Sequence, residues 1–216
     1  MKRDNYLHMR NEMRSRFLTY DQSEMIRKFS LKSDGEFLYL TFLSRPYRVG
    51  RHTGIVEWSE DNFLTCIEGD YSESMTIYDV LCYSKPDCCL SGTFTQSNSL
   101  PGTAYTRLNT GSGSFYDRQC RFFDDKLPAL REACAALGGI PEGKGDVAYR
   151  IPLFDFLPLR FAFWQSDEDF PAEIKIFWDS NTLNYMHFET LWFAVGHMLK
   201  RIAELMSVTP PSKVPE

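Results

Sequence analysis

The densest concentration of reactive side chains in the sequence is the run Asp167-Glu168-Asp169, followed at once by Phe170-Pro171, with Asp179, His187 and Glu189 close behind. Carboxylates and an imidazole together can hold a divalent cation or divide acid–base work between them. The acidic turn and the start of the next helix are expected to meet at one end of a sheet, which would assemble the set. No fixed ligand spacing such as His-Glu-x-x-His is present. Each residue also has an ordinary role. Three adjacent acids solvate a turn, Glu189 in a first helical turn complements the helix dipole, and His187 stands at or before the cap.

Other candidate motifs are weaker. Gly138-x-x-x-x-Gly143-Lys144 matches most of a phosphate-cradling loop, but a helix precedes it, a strand follows it, and Gly145 stands where a hydroxyl residue must hold magnesium. It reads as a helix C-cap and a turn. Arg45-Pro46-Tyr47-Arg48 with Arg51-His52 is the most basic patch, near Trp58; it fits an anionic ligand or a charged strand edge. His8, His52 and His197 occur singly, and His197 falls between core positions of a helix. There is no Gly-x-Ser-x-Gly elbow, and no cysteine lies beside a catalytic histidine signature. Cys66, Cys82, Cys88, Cys89, Cys120 and Cys134 include no Cys-x-x-Cys pair, so they read as reduced, small apolar side chains.

Aromatic residues crowd the region of the acidic turn: Trp164, Phe170, Phe177, Trp178, Phe188, Trp192 and Phe193. They suit a core between a sheet and the last helix, or an apolar pocket for a flat ligand with the acidic turn at its rim.

The elements that must position these residues follow from periodicity. Tyr6, Met9, Met13, Phe17 and Tyr20 mark a first helix, and Asp21 with Glu24 has capping-box spacing for a second. Asp34-Gly35 is a hairpin signal between residues 29–31 and the strand at 37–43. Further strands are expected at 47–49 and 55–58, and a helix carrying Met75, Tyr78, Leu81 and Cys82 ends before Pro86. Residues 91–113, rich in Ser, Thr, Gly and Asn, read as a long loop. The stripe from Tyr116 to Leu137 is expected to be divided at Pro128, with Asp125 as a cap. Strands at 147–151 and 159–164 flank a Pro- and Phe-rich corner at 152–158, and a third covers 174–178. Phe188 through Leu205 form a long amphipathic helix.

Residues 1–208 are therefore expected to form one α+β domain, with a mainly antiparallel mixed sheet, N-terminal hairpin strands and a long C-terminal helix packed on it. Residues 209–216 are expected to be a disordered tail. With 216 residues, the chain can bury a full core without disulfide or metal staples. The balance of 24 basic against 29 acidic side chains, net −5, with no basic run, argues against nucleic acid as a partner. No signal-peptide pattern or membrane-length apolar stretch occurs, which gives the expectation of a cytoplasmic protein.

Several blocks in the last third resemble a known family. They are Leu137-Gly138-Gly139, Gly145-Asp146-Val147-Ala148-Tyr149, Ile151-Pro152-Leu153-Phe154, and the run from Trp164 to Pro171. Ile176-Phe177-Trp178-Asp179 and Tyr185-Met186-His187-Phe188-Glu189 continue the pattern. In order, they resemble a bacterial and archaeal family catalogued as domain of unknown function 3786, with a weaker likeness over 37–49. The resemblance implies an anaerobic setting, and some members look fused to a cysteine-rich iron–sulfur domain of the corrinoid-protein type. This chain's cysteines do not reproduce such a cluster. It departs from the family pattern at Asp169, where Glu is usual, and at Trp178, where a smaller residue is common.

The leading expectation is a ligand- or cofactor-binding accessory protein of anaerobic metabolism, using Trp164, Asp167, Glu168, Asp169, Phe170, Asp179, His187 and Glu189, with the cofactor unidentified. The alternatives are a metal-dependent enzyme using Asp167, Glu168, His187 and Glu189, and a structural or partner-binding homodimer formed through the terminal helix.

Overall fold

The computed structural model of the chain describes residues 2–101 and 116–208. The helices are α1 (Lys2–Phe17), α2 (Gln22–Phe29), α3 (Tyr71–Tyr83), α4 (Asp117–Phe123), α5 (Leu127–Ala136) and α6 (Thr190–Val208). The strands are β1 (Lys32–Ser33), β2 (Phe37–Phe42), β3 (Arg45–Gly50), β4 (Val56–Trp58), β5 (Ile67–Glu68), β6 (Phe94–Gln96), β7 (Ile140–Pro141), β8 (Val147–Phe154), β9 (Leu157–Trp164) and β10 (Glu173–Asp179). The fold is α+β. The strands make one ten-stranded antiparallel sheet in the order β5-β4-β3-β2-β8-β9-β10-β6, with β1 added against β2 and β7 against β8.

The sheet is two meanders joined at a narrow seam. β2 and β8 share a single register pair, Phe42 with Phe154, beside one bond from the Leu43 N–H to the Leu153 carbonyl (2.9 Å). Aromatic stacking reinforces that joint. The Phe42 and Phe154 rings lie 4.7 Å apart, Phe154 and Phe156 5.3 Å, and Phe156 and Phe29 4.1 Å. The β2–β3 hairpin turns through Leu43 and Ser44, both with positive φ. That is the backbone a two-residue hairpin needs, although neither residue is Gly or Asn. Leu43 is held there by its fully buried side chain and its bond to Leu153.

Strand alternation sets the core. Leu38, Leu40 and Phe42 of β2, Val147, Tyr149, Ile151 and Leu153 of β8, and Leu157, Leu159, Phe161 and Phe163 of β9 are all buried. Helix α6 turns Leu191, Ala194, Val195, Met198, Leu199 and Ile202 inward and packs on both α3 and α5. Its apolar stripe therefore belongs to the chain's own core, and a homodimer through that face would have to expose it.

Some local expectations are corrected. Residues 29–31 are not a strand; they end α2, and β1 is the partner of β2. The segment after Ser91 carries β6, which pairs with β10 as an edge strand; residues 102–113 of the expected loop lie outside the described residues, as does the expected tail at 209–216. β8 and β9 run into the proline-rich corner and leave only Asp155 and Phe156 to turn it. Lys126, not Asp125, precedes α5; Asp125 takes positive φ between the two helices. Asp21 caps α2 by accepting from the Ser23 and Glu24 N–H groups, but the fully reciprocal capping box is on α3, between Asp70 and Glu73.

Candidate functional site

The acidic turn lies where β9 passes into β10, beside α4. Its shape is fixed by carboxylates that accept backbone N–H groups. Asp167 accepts from Asp169 (2.9 Å) and Phe170 (2.7 Å), Asp146 accepts from Gln165 (2.8 Å), and Asp124 accepts from the Ser166 N–H (3.1 Å) and hydroxyl (2.6 Å). The turn so held projects Phe170 outward with 70% of its surface exposed. Beneath it opens a groove of about 1080 Å³, whose walls include Trp164, Asp167 and Phe170 together with Asp117, Cys120, Arg121 and Lys175. The Lys175 ammonium lies 4.8 Å from the Trp164 ring centre and 2.9 Å from Glu173. Glu168 and Asp169 are exposed on the same turn.

The remaining sequence-derived candidates do not join this groove. Glu173 pairs with Trp164 at one end of β10, and Asp179 closes the other end. Six residue steps at about 3.3 Å each put roughly 20 Å between them. Asp179 is wholly buried and accepts from the Ser91, Gly92 and Asn181 N–H groups (2.9, 2.8 and 2.9 Å) and the Ser91 hydroxyl (3.0 Å). It fastens the approach to edge strand β6. Replacing Asp179 with alanine leaves those donors without their acceptor, so the expected loss is about 2–3 kcal/mol. A urea titration checks the loss, and faster amide exchange at Thr95, whose position opposite Trp178 turns its N–H towards β10, checks the mechanism. A change below about 0.5 kcal/mol would refute this role.

His187 stands before α6 with Asp79 of α3 as its partner. The Asp79 carboxylate accepts from the His187 backbone N–H (2.7 Å) and meets ring Nδ1 at 2.6 Å. Tyr83 packs edge-on against the imidazole, with ring centres 4.8 Å apart. Glu189 is exposed at the foot of the same helix. The expected meeting of acidic turn and helix start therefore does not occur.

A second polar centre lies under α6 and was read from the sequence only in fragments. The Tyr47 hydroxyl donates to Glu73 (2.7 Å) and lies 3.3 Å from His197 Nε2. The Arg45 guanidinium sits 3.7 Å from the centre of the Trp58 ring, 3.8 Å from Glu73 and 3.0 Å from Glu60. Arg45 and Tyr47 are buried, so this part of the basic patch is neither an open anion site nor a solvated strand edge. Burial pushes the Glu73 carboxyl and the Tyr47 hydroxyl up and the His197 imidazole down to about 3. Burial also opposes ionisation of Asp70, but the Glu73 N–H and the Lys200 ammonium outweigh it and hold that carboxyl low.

Asp70, Glu73 and His197 bring ligand atoms within 4.8 Å of one another, yet they fit a cation poorly. Lys200 and Arg45 already neutralise the carboxylates. A metal on Nε2 would also force the ring proton onto Nδ1, which is buried with no hydrogen-bond partner among the described residues. The centre is a structural tie between β3, α3 and α6. Its sequence signal was available, because Glu73 and Asp79 are the two charged residues of a helix that is largely apolar or hydroxyl-bearing, and such acids are rarely buried unless paired.

Fold and groove together define an α+β protein with an open cleft at one end of a meander sheet. The chain belongs to the family described as Domain of unknown function (DUF3786), whose model matches residues 21–201. No curated protein and no solved structure matches the chain.

Proposed function

We propose that this protein is a ligand-binding accessory protein and that the groove between α4 and the β9–β10 turn is its seat. The observation that carries this reading is Phe170, a large apolar side chain exposed on a turn pinned by backbone hydrogen bonds, above a groove walled by Trp164. The groove volume is of the order found for small-molecule and cofactor sites. Binding rather than catalysis is favoured by the lining. No histidine is among the described groove residues, and burial pushes the Cys120 thiol up, away from its reactive thiolate form. The cytoplasmic, anaerobic setting rests on the family resemblance and on six unpaired cysteines.

The test is an anaerobic titration with flavin mononucleotide, cobalamin and ATP, followed by tryptophan emission and equilibrium dialysis. At least one probe is expected to bind saturably. Trp164→Phe should remove most of the emission change, and Phe170→Ala should weaken binding about tenfold or more through lost apolar burial. Failure of every probe in both assays, with the protein folded, would count against the groove as a seat for these ligand classes. Equal binding by Phe170→Ala and the unaltered chain would remove the observation on which the reading stands.

A further inference from the structure

The geometry points to a second, chemically distinct centre: His187, oriented by Asp79, is a nucleophilic imidazole for activated acyl esters. Its parts are those of an acid–base dyad. Asp79 is buried, whereas the His187 side chain is 57% exposed. A carboxylate can only accept, so its 2.6 Å contact with Nδ1 places the ring proton on Nδ1 and leaves the lone pair on Nε2. The second oxygen of Asp79 holds the His187 backbone N–H, and Tyr83 borders the ring. Backbone and ring are thus fixed together, so the imidazole is positioned before any substrate arrives.

A helix cap alone does not require this arrangement. The backbone N–H needs only one carboxylate oxygen, and the second fixes the ring. The neighbouring Cys82 is no rival nucleophile, since burial pushes its thiol up to about 12. The reaction balances without a metal or redox partner. Nε2 attacks the ester carbonyl, a C–N bond forms, and the C–O bond to the leaving alkoxide or phenolate breaks. The product is an acylimidazolium whose positive charge faces the Asp79 carboxylate. Water then attacks the acyl carbon and gives one proton to solvent, releasing the carboxylic acid and returning the lone pair to Nε2. His187 is the catalytic residue here and Asp79 a positioning residue.

The experiment uses the full chain with p-nitrophenyl acetate, read by p-nitrophenolate release and by mass spectrometry of the quenched protein. The unaltered chain is expected to exceed an equal concentration of N-acetylhistidine by about tenfold or more, as orientation allows, and to carry a transient acetyl group on His187. His187→Ala, which truncates an exposed side chain, should fall to the background of the other histidines. Asp79→Asn should lower the rate, with Asp79→Glu recovering part of it, and nitrogen-detected NMR of the ring should show the proton leaving Nδ1 in Asp79→Asn. Thermal melts identify any variant that has lost its fold, and for such a variant the ring spectrum and acetylation site of the unaltered chain decide. A rate no greater than that of N-acetylhistidine, acetylation elsewhere, or a ring proton on Nε2 in the unaltered chain would overturn the assignment.

Discussion

Replacing Glu73 with alanine is expected to lower the unfolding free energy by about 3–5 kcal/mol, the usual cost of removing one member of a buried, charged, hydrogen-bonded group. In a chain of this size that corresponds to a melting shift of roughly 6–20 °C. The size follows from what Glu73 holds. One carboxylate oxygen takes the Tyr47 hydroxyl and faces Arg45 and His197; the other takes the Asp70 N–H at the start of α3. Alanine leaves a fully buried phenol without its acceptor and a buried guanidinium short of counter-charge. Glutamine keeps the shape and an acceptor oxygen but not the charge, so Glu73→Gln should cost less than Glu73→Ala. Urea unfolding of both variants checks the order. A loss below about 1 kcal/mol for Glu73→Ala would mean that the tie between β3, α3 and α6 contributes little.

The second large effect is a loss of stability on acidification. Burial holds the His197 imidazole neutral down to about pH 3, whereas the unfolded side chain protonates near its ordinary value of about 6.5. Between those values the unfolded state binds the extra proton, so stability falls as pH falls, by up to about 1.4 kcal/mol per pH unit. Glu73 acts with the opposite sign. Its carboxyl is raised, so the folded state keeps a proton above pH 4.5 that the unfolded state has released. That contribution declines as pH rises and offsets part of the His197 slope in the overlapping range. Urea midpoints from pH 4 to 7 should therefore slope less steeply for His197→Gln than for the unaltered chain. Coincident slopes would show that His197 does not remain neutral in the folded state.

The large elements were legible in the sequence because their signal is local. The stripe of α6, the alternation of β2, β8 and β9, and the Asp34-Gly35 turn all announce themselves within a dozen residues. The acidic turn was also legible as a place to look, and Trp164, Asp167 and Phe170 do share one groove. Their supports were not, because Asp117 comes from α4, Asp124 from the cap that follows it and Asp146 from the approach to β8, and no spacing rule links such segments. The same holds for His187, whose partner lies 108 positions earlier. The turn at Leu43-Ser44 was hidden for another reason: Leu43 is held at positive φ by burial and by the seam contact, not by residue type. Asp179 looked like part of a reactive cluster because sequence distance cannot show that β10 carries it to the far end of the sheet.

The narrow seam between the two meanders governs how the chain acquires its shape during synthesis. The β1–β5 meander leaves the ribosome well before β8, β9 and β10, and helix α6, which packs against α3 on one side and α5 on the other, is translated after every strand. Until it emerges, α3 and α5 lack the helix that packs against both, and the polar tie of Tyr47 and Glu73 lacks His197. Nascent chains halted before residue 190 should therefore depend on chaperones and be cleared by proteases, whereas those that have released α6 close both halves in one cooperative step.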